Sequence, residues 1–93
     1  MARLLFQVAE TFEINGRGLV LLPGIVPVGD ERFRVGDPIR LKRPDGKEED
    51  YPIGGLEMCT PRRVADVALL LTNVTKVEVP IGSEVWSVNS QPQ

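Results

Sequence analysis

Residues 11–24 read TFEINGRGLVLLPG, and this stretch predicts a strand, a tight turn and a second strand. Phe12 and Ile14 alternate with polar residues, so the first strand is expected to have an apolar face that points inward. Asn15-Gly16 offers two residues that tolerate the positive φ of a hairpin turn. The apolar run 19–22 predicts the second strand, which the following Pro-Gly pair should end. The residues expected to build the turn are Gly16, Arg17 and Gly18.

The composition predicts one small β-rich domain. The chain has 93 residues, 42% of them hydrophobic, and its 9 glycines and 8 prolines fall between short apolar runs. This spacing predicts many turns and six or seven short strands. We expect a single domain over residues 1–88 and a polar tail over 89–93. No run is long enough to span a membrane and no signal peptide is evident, so a cytoplasmic protein is expected.

A second hairpin is predicted at Asp45-Gly46, because this dipeptide suits a two-residue turn in which both residues have positive φ. That turn would place Arg40 opposite Tyr51. Its register also pairs the two other basic residues of the first strand with acids, namely Arg43 with Glu48 and Lys42 with Glu49. We therefore interpret the basic residues as one side of a charge-paired hairpin rather than as an RNA-binding patch.

Four other segments complete the predicted fold. Residues 3–9 predict the first strand, which should bend near its end. Residues 64–71 form an apolar run that is too short to decide by its period, although the neighbouring strands favour a strand over a helix. Residues 77–81 predict an edge strand or an extended connection. The last strand, 85–88, contains Trp86, which is expected in the core.

The sequence contains no recognisable catalytic set. Because it has no histidine, Ser-His-Asp and Cys-His arrangements and the common zinc sites are excluded. The Gly16-Arg17-Gly18 turn lacks the third glycine and the helix of a dinucleotide-binding fingerprint. Cys59 is the single cysteine and is expected to be a reduced, half-buried thiol. We therefore expect no enzymatic activity, no metal and no cofactor.

The charge balance argues against a dedicated nucleic-acid binder, since 11 basic and 13 acidic residues give a net charge of −2. Two local features keep RNA open as a ligand. Trp86 and Phe33 are aromatic residues of the kind that stack on bases. Arg62-Arg63 could meet an anionic group, although exposed, solvated arginines are the favoured interpretation.

Six short motifs occur in an order that is similar to a known domain family. They are FxIxGRGxV (12–20), Gly24, VGDxI (35–39), GLEM (55–58), DVALLL (66–71) and IGSEV (81–85). In this order they resemble the second domain of translational GTPases, the β-barrel that follows the GTP-binding domain in elongation factor Tu and its relatives. The resemblance covers residues 6–88 and implies a small closed antiparallel β-barrel of six or seven strands, in which 64–71 is a strand.

The same resemblance implies a site. In elongation factor Tu this domain helps to hold the aminoacylated 3′ end of tRNA, and the glutamate of the GLEM motif lies against the terminal adenine. Glu57 matches that glutamate, and Arg62 and Arg63 follow it in the segment that borders the pocket. No GTP binding is implied, because the GTP-binding domain is not the part of the family that this chain resembles.

Two functions follow as hypotheses. The first is a free-standing, non-catalytic binding module with a protein partner, for which the resemblance suggests a translation component. The second is a binder of the 3′ end of aminoacyl-tRNA or of other single-stranded RNA, through Glu57, Arg62 and Arg63. No membrane partner is expected in either case.

Overall fold

The computed structural model describes residues 3–26, 31–58 and 67–88. In these residues the backbone forms eight short strands and one short 3-10 helix, Lys76–Glu78. The strands are β1 (Leu4–Gln7), β2 (Glu10–Ile14), β3 (Gly18–Ile25), β4 (Pro38–Lys42), β5 (Glu48–Pro52), β6 (Gly55–Met58), β7 (Val67–Leu71) and β8 (Glu84–Ser87).

The strands form two four-stranded antiparallel sheets, in the orders β1-β8-β4-β5 and β2-β3-β7-β6. The prediction of an all-β fold is confirmed. Two corners connect the sheets, because β1 continues into β2 through residues 8–9 and β5 continues into β6 through residues 53–54. Backbone hydrogen bonds persist at both corners, where Ala9 N–H donates to the Leu22 carbonyl and Gly54 N–H to the Leu70 carbonyl, each at 2.8 Å. The bend predicted at the end of the first strand is confirmed.

Apolar side chains from both sheets meet in one core. Alternation in the first half of β3 and throughout β4 supplies four of its fully buried members. Burying one such side chain contributes about 1.5–3 kcal/mol. The core consists of Leu5, Phe6, Val8, Leu19, Leu21, Ile25, Ile39, Leu41, Ile53, Leu69, Leu71, Val74, Val79 and Val85.

The longest strand, β3, passes through the Pro-Gly pair that was expected to end it, so that prediction is wrong. Proline is tolerated because Pro23 lies where the pairing of β3 with β7 shifts register, between Leu21 and Ile25. Glycine is required nearby, since a Cβ on Gly24 (φ +109°) would lie 2.5 Å from the Val67 carbonyl oxygen.

The turn between β2 and β3 has three residues, 15–17, and Gly18, which was predicted as a turn residue, begins β3. Ile14 pairs with Gly18, and Arg17 N–H donates to the Ile14 carbonyl at 2.9 Å. Gly16 has a positive φ of 78°, whereas Asn15 does not have positive φ. The location of the turn is therefore confirmed, but its predicted conformation is wrong because only its glycine adopts positive φ.

The β4–β5 hairpin lies where it was predicted, with a register that differs by one residue. Arg40 lies opposite Asp50, not Tyr51, and Lys42 lies opposite Glu48. The cause is again a three-residue turn, 44–46, in which Gly46 N–H donates to the carbonyl of residue 43 at 2.8 Å. Gly46 takes a positive φ of 93°, while its Asp neighbour does not. Proline as the first turn residue fits a type I turn closed by a left-handed glycine.

In the corrected register the charge-paired interpretation of this hairpin is confirmed for its two arginines. Arg40 donates to both carboxylate oxygens of Asp50, at 2.7 and 3.1 Å, and these hydrogen bonds lower the pKa of Asp50. Arg43 lies 3.0 Å from Glu49 and donates to the Tyr51 hydroxyl at 2.7 Å. The Tyr51 hydroxyl, followed by Arg43, lowers the pKa of Glu49.

The inward face of β2 is the opposite of the predicted one. Thr11 is buried, whereas Phe12 and Ile14 point outward and are 51% and 38% exposed. The reason is an extra residue at the first corner: Ala9 donates to the Leu22 carbonyl although Glu10 is the residue in register with Leu22. One inserted residue exchanges the two faces of the strand that follows.

Near the end of the described chain, one prediction is wrong and a choice that the sequence left open is decided. Trp86 lies outside the core on the outer face of its sheet, between Leu4 and Arg40, because Val85 occupies the inward position. Its indole N–H donates to Glu84 at 3.0 Å. Of the two alternatives for 77–81, the structure shows a connection rather than an edge strand, and the 3-10 helix forms its start. Residues 59–66, with Cys59, and the tail 89–93 lie outside the described residues.

Alanine substitution should lower the free energy of unfolding much less at Gly16 than at Gly18, which begins β3. A Cβ on Gly16 meets no atom within 4 Å, so Gly16→Ala carries only the strain of positive φ, about 1–2 kcal/mol. A Cβ on Gly18 would overlap the Leu71 carbonyl oxygen, so Gly18→Ala should cost about 3 kcal/mol or more. Urea denaturation of both variants measures the difference; equal costs would contradict the close approach of β3 to β7.

The corrected register predicts that Arg40 is the residue that lowers the pKa of Asp50. In Arg40→Met the pKa of Asp50 should rise towards its ordinary value, because the hydrogen bonds that stabilise the carboxylate are lost. The pair's stabilisation is present above the unfolded-state pKa of Asp50 and is lost as pH falls through its lower folded-state pKa. Carboxyl-detected NMR titration is the measurement. Lys42→Met is the matched control, and an unchanged Asp50 pKa in Arg40→Met would contradict the register.

Candidate functional site

The outer face of the second sheet is unusually apolar. Phe12 pairs with Val20, which in turn pairs with Leu70, so these three side chains lie side by side across β2, β3 and β7. Ile14 lies two residues beyond Phe12 on the same face of β2. We call these four residues the outer apolar face. Phe12 and Ile14 are exposed, Val20 is half-buried and Leu70 is buried. Neighbouring exposed apolar side chains are typical of a surface that contacts another molecule.

An ion pair borders this face. Arg17 Nη2 lies 3.4 Å from Glu57 Oε2, and the two side chains are 55% and 64% exposed. At this distance and exposure the pair contributes little to stability and can open easily. Beneath it lies a pocket of about 40 Å³, enough for a water-sized group. The pocket is lined by Ile14, Arg17, Val20, Glu57, Ala68, Leu69 and Leu70.

The structure places one of the three predicted site residues in this pocket. Glu57 lies on β6, opposite Ala68 of β7. Arg62 and Arg63 lie outside the described residues. Arg17, which was predicted only as a turn residue, is the basic residue that the fold brings to Glu57. The sequence gives no signal for this pairing, since the two residues are 40 positions apart. They meet only because β3 and β6 lie on either side of the same strand, β7.

A larger concavity lies on the other side of β2. It is an open groove of about 500 Å³ between β2 and the segment 76–81, and we call it the β2 groove. Ile81 and Phe12, both more than half exposed, lie on its two walls, and Glu10 and Lys76 are its charged residues. Its lining is Ala9, Glu10, Thr11, Phe12, Lys76, Val79, Pro80 and Ile81.

Within residues 3–26, 31–58 and 67–88, no three Cys, Asp or Glu side chains are grouped so that they could hold a metal ion. In the same part of the chain, no helix has the length and apolar character needed to cross a membrane.

Comparisons of the chain with models of protein families, with curated proteins and with solved structures find no match. Function must therefore be inferred from the surface itself.

Proposed function

We propose that the chain is a cytoplasmic, non-catalytic protein-binding module with the barrel fold of translation-factor second domains, and that it binds its partner through the outer apolar face. The observation that carries this proposal is the exposure of Phe12 and Ile14 on a regular strand, beside the half-buried Val20. Aromatic and aliphatic side chains surrounded by polar ones form the centre of typical protein interfaces.

The two corners support the barrel interpretation. They join the edge strands β1 and β5 of one sheet to the edge strands β2 and β6 of the other. If each joined pair is counted as one bent strand, the eight strands form a ring of six. This number agrees with the barrel implied by the resemblance to translational GTPases.

Charge favours a protein partner over RNA. The most basic segment of the described chain, 40–43, has its two arginines paired with Asp50 and Glu49. Arginines that are already held by carboxylates gain less from the phosphate backbone, which supplies most of the affinity for nucleic acids. A translation component as the partner rests on the resemblance alone.

Binding of an RNA 3′ end is the second candidate, and the pair of Arg17 and Glu57 favours it. Together with Val20 and Leu70 it offers a carboxylate, a guanidinium and an apolar wall, which suit the edge and face of a base. The pocket of about 40 Å³ is too small for a base, so Arg17 would have to move aside. This requirement places RNA second.

The protein-binding proposal predicts that a partner captured by the tagged protein from its own cell lysate survives ribonuclease treatment. Phe12→Ser combined with Ile14→Ser should weaken its binding at least about tenfold, because two apolar anchors are removed. Val35→Ser, at an exposed apolar residue outside this face, is the matched control and should not change capture. A partner held equally well by all three proteins would contradict this assignment of the surface.

The RNA candidate predicts that single-stranded RNA ending in adenosine binds the protein and that Glu57→Ala weakens binding about fivefold to tenfold, through loss of a charged hydrogen-bond acceptor. Titration of a fluorescent oligonucleotide measures the affinity. Glu13→Ala removes the same charge from another exposed position of the sheet and serves as the control. Equal affinity of the wild type and Glu57→Ala would end this candidate.

A further inference from the structure

The β2 groove begins where the backbone hydrogen bonds between Val8 and residues 82–83 end. At its closed end, Val8 N–H donates to the Ser83 carbonyl at 2.7 Å and Gly82 N–H donates to the Val8 carbonyl at 2.9 Å. Beyond Val8 the two segments separate, and among the described strands β2 pairs only with β3. The outer edge of β2 is thus an unpaired strand edge beside an open groove.

The backbone groups that this edge presents can be identified. In the hairpin, the Ile14 carbonyl accepts the Arg17 N–H and so points towards β3. Backbone groups alternate in direction along a strand of an antiparallel ladder. The N–H and C=O groups of Thr11 and Glu13 therefore point away from β3, towards the free edge.

We propose that the partner adds an extended segment to the free edge of β2 and places an apolar side chain in the β2 groove. This inference rests on the proposed protein-binding function and states how the partner binds. The backbone of the segment would pair with Thr11 and Glu13, and its apolar side chain would lie between Phe12 and Ile81. Strand addition of this kind gains affinity from main-chain hydrogen bonds and specificity from alternate side chains.

Charge decides between a second copy of this chain and a different partner. The sequence of β2 is ETFEI, which has two carboxylates and no basic residue. Two copies joined along β2 would bring four carboxylates into one short ladder, and like charges across strands are destabilising. The segment that fits instead carries apolar residues on the face of Phe12 and, alternating with them, lysine or arginine on the opposite face, next to Glu13. The opposite wall of the groove, with Val79, Pro80 and Ile81, favours the apolar positions.

The test uses a fluorescent seven-residue peptide in which lysine alternates with valine, titrated by fluorescence anisotropy against the full chain. We expect saturable binding that Glu13→Pro weakens about fivefold to tenfold, since proline removes one main-chain donor from the free edge. Proline there leaves the pairing of β2 with β3 intact, because that N–H points away from β3. Glu13→Ala keeps the N–H and loses only the carboxylate, so in 0.5 M salt, where that charge is screened, it should lose less affinity than Glu13→Pro.

A version of the peptide with methylated backbone nitrogens on its lysines keeps the side chains and should bind at least about tenfold more weakly. Thermal melts of both Glu13 variants establish that they are folded.

Absence of binding, or equal binding by Glu13→Pro and Glu13→Ala, would overturn the inference. If lysate capture depends on Phe12 and Ile14 but not on Glu13→Pro, the partner uses the outer apolar face alone. If the peptide binds but no protein is captured from the lysate, the edge of β2 does accept an added strand and the proposed protein-binding function fails.

Discussion

The close approach of β3 to β7 is the contact on which the second sheet depends. At the two ends of β3, Gly18 and Gly24 lie so near the carbonyls of Leu71 and Val67 that no side chain fits between the backbones. These two strands form the middle of the sheet, and β2 and β6 are added on either side of them. The positions of Phe12 and Glu57, and hence of the candidate surfaces, therefore depend on glycine at both of these positions.

The sequence predicted where the turns lie but not their length. Both hairpins are centred on the glycines expected, and the all-β class follows from the spacing of such turns. Both turns have three residues, and neither Asn15 nor Asp45 adopts the positive φ that its neighbouring glycine adopts. At Asp45-Gly46 the three-residue turn replaces the predicted two-residue one. Tolerance of positive φ is a property of a residue, whereas its use depends on the strands that the turn must join. A difference of one residue was enough to change the partner of Arg40.

The candidate site was predicted only in part, for two physical reasons. Glu57 could be placed on a strand from its motif, but its contact with Arg17 depends on the order of strands in the sheet. The outer apolar face was missed because the extra residue near Ala9 exchanges the two faces of β2. Such an insertion leaves the alternation of the strand intact, so the sequence pattern alone cannot show which face is buried.

The edge strand β5 gives the fold a polarity in how it can assemble. Its residues Glu48, Glu49 and Asp50 are exposed, and the last two are engaged with arginines. A strand added there would have to bury these charges, whereas β2 offers an open groove. Fibre growth requires each molecule to offer one edge and occupy another. A molecule that accepts a strand along β2 but resists one along β5 offers no second edge for a further molecule. Strand addition therefore stops after one partner has bound.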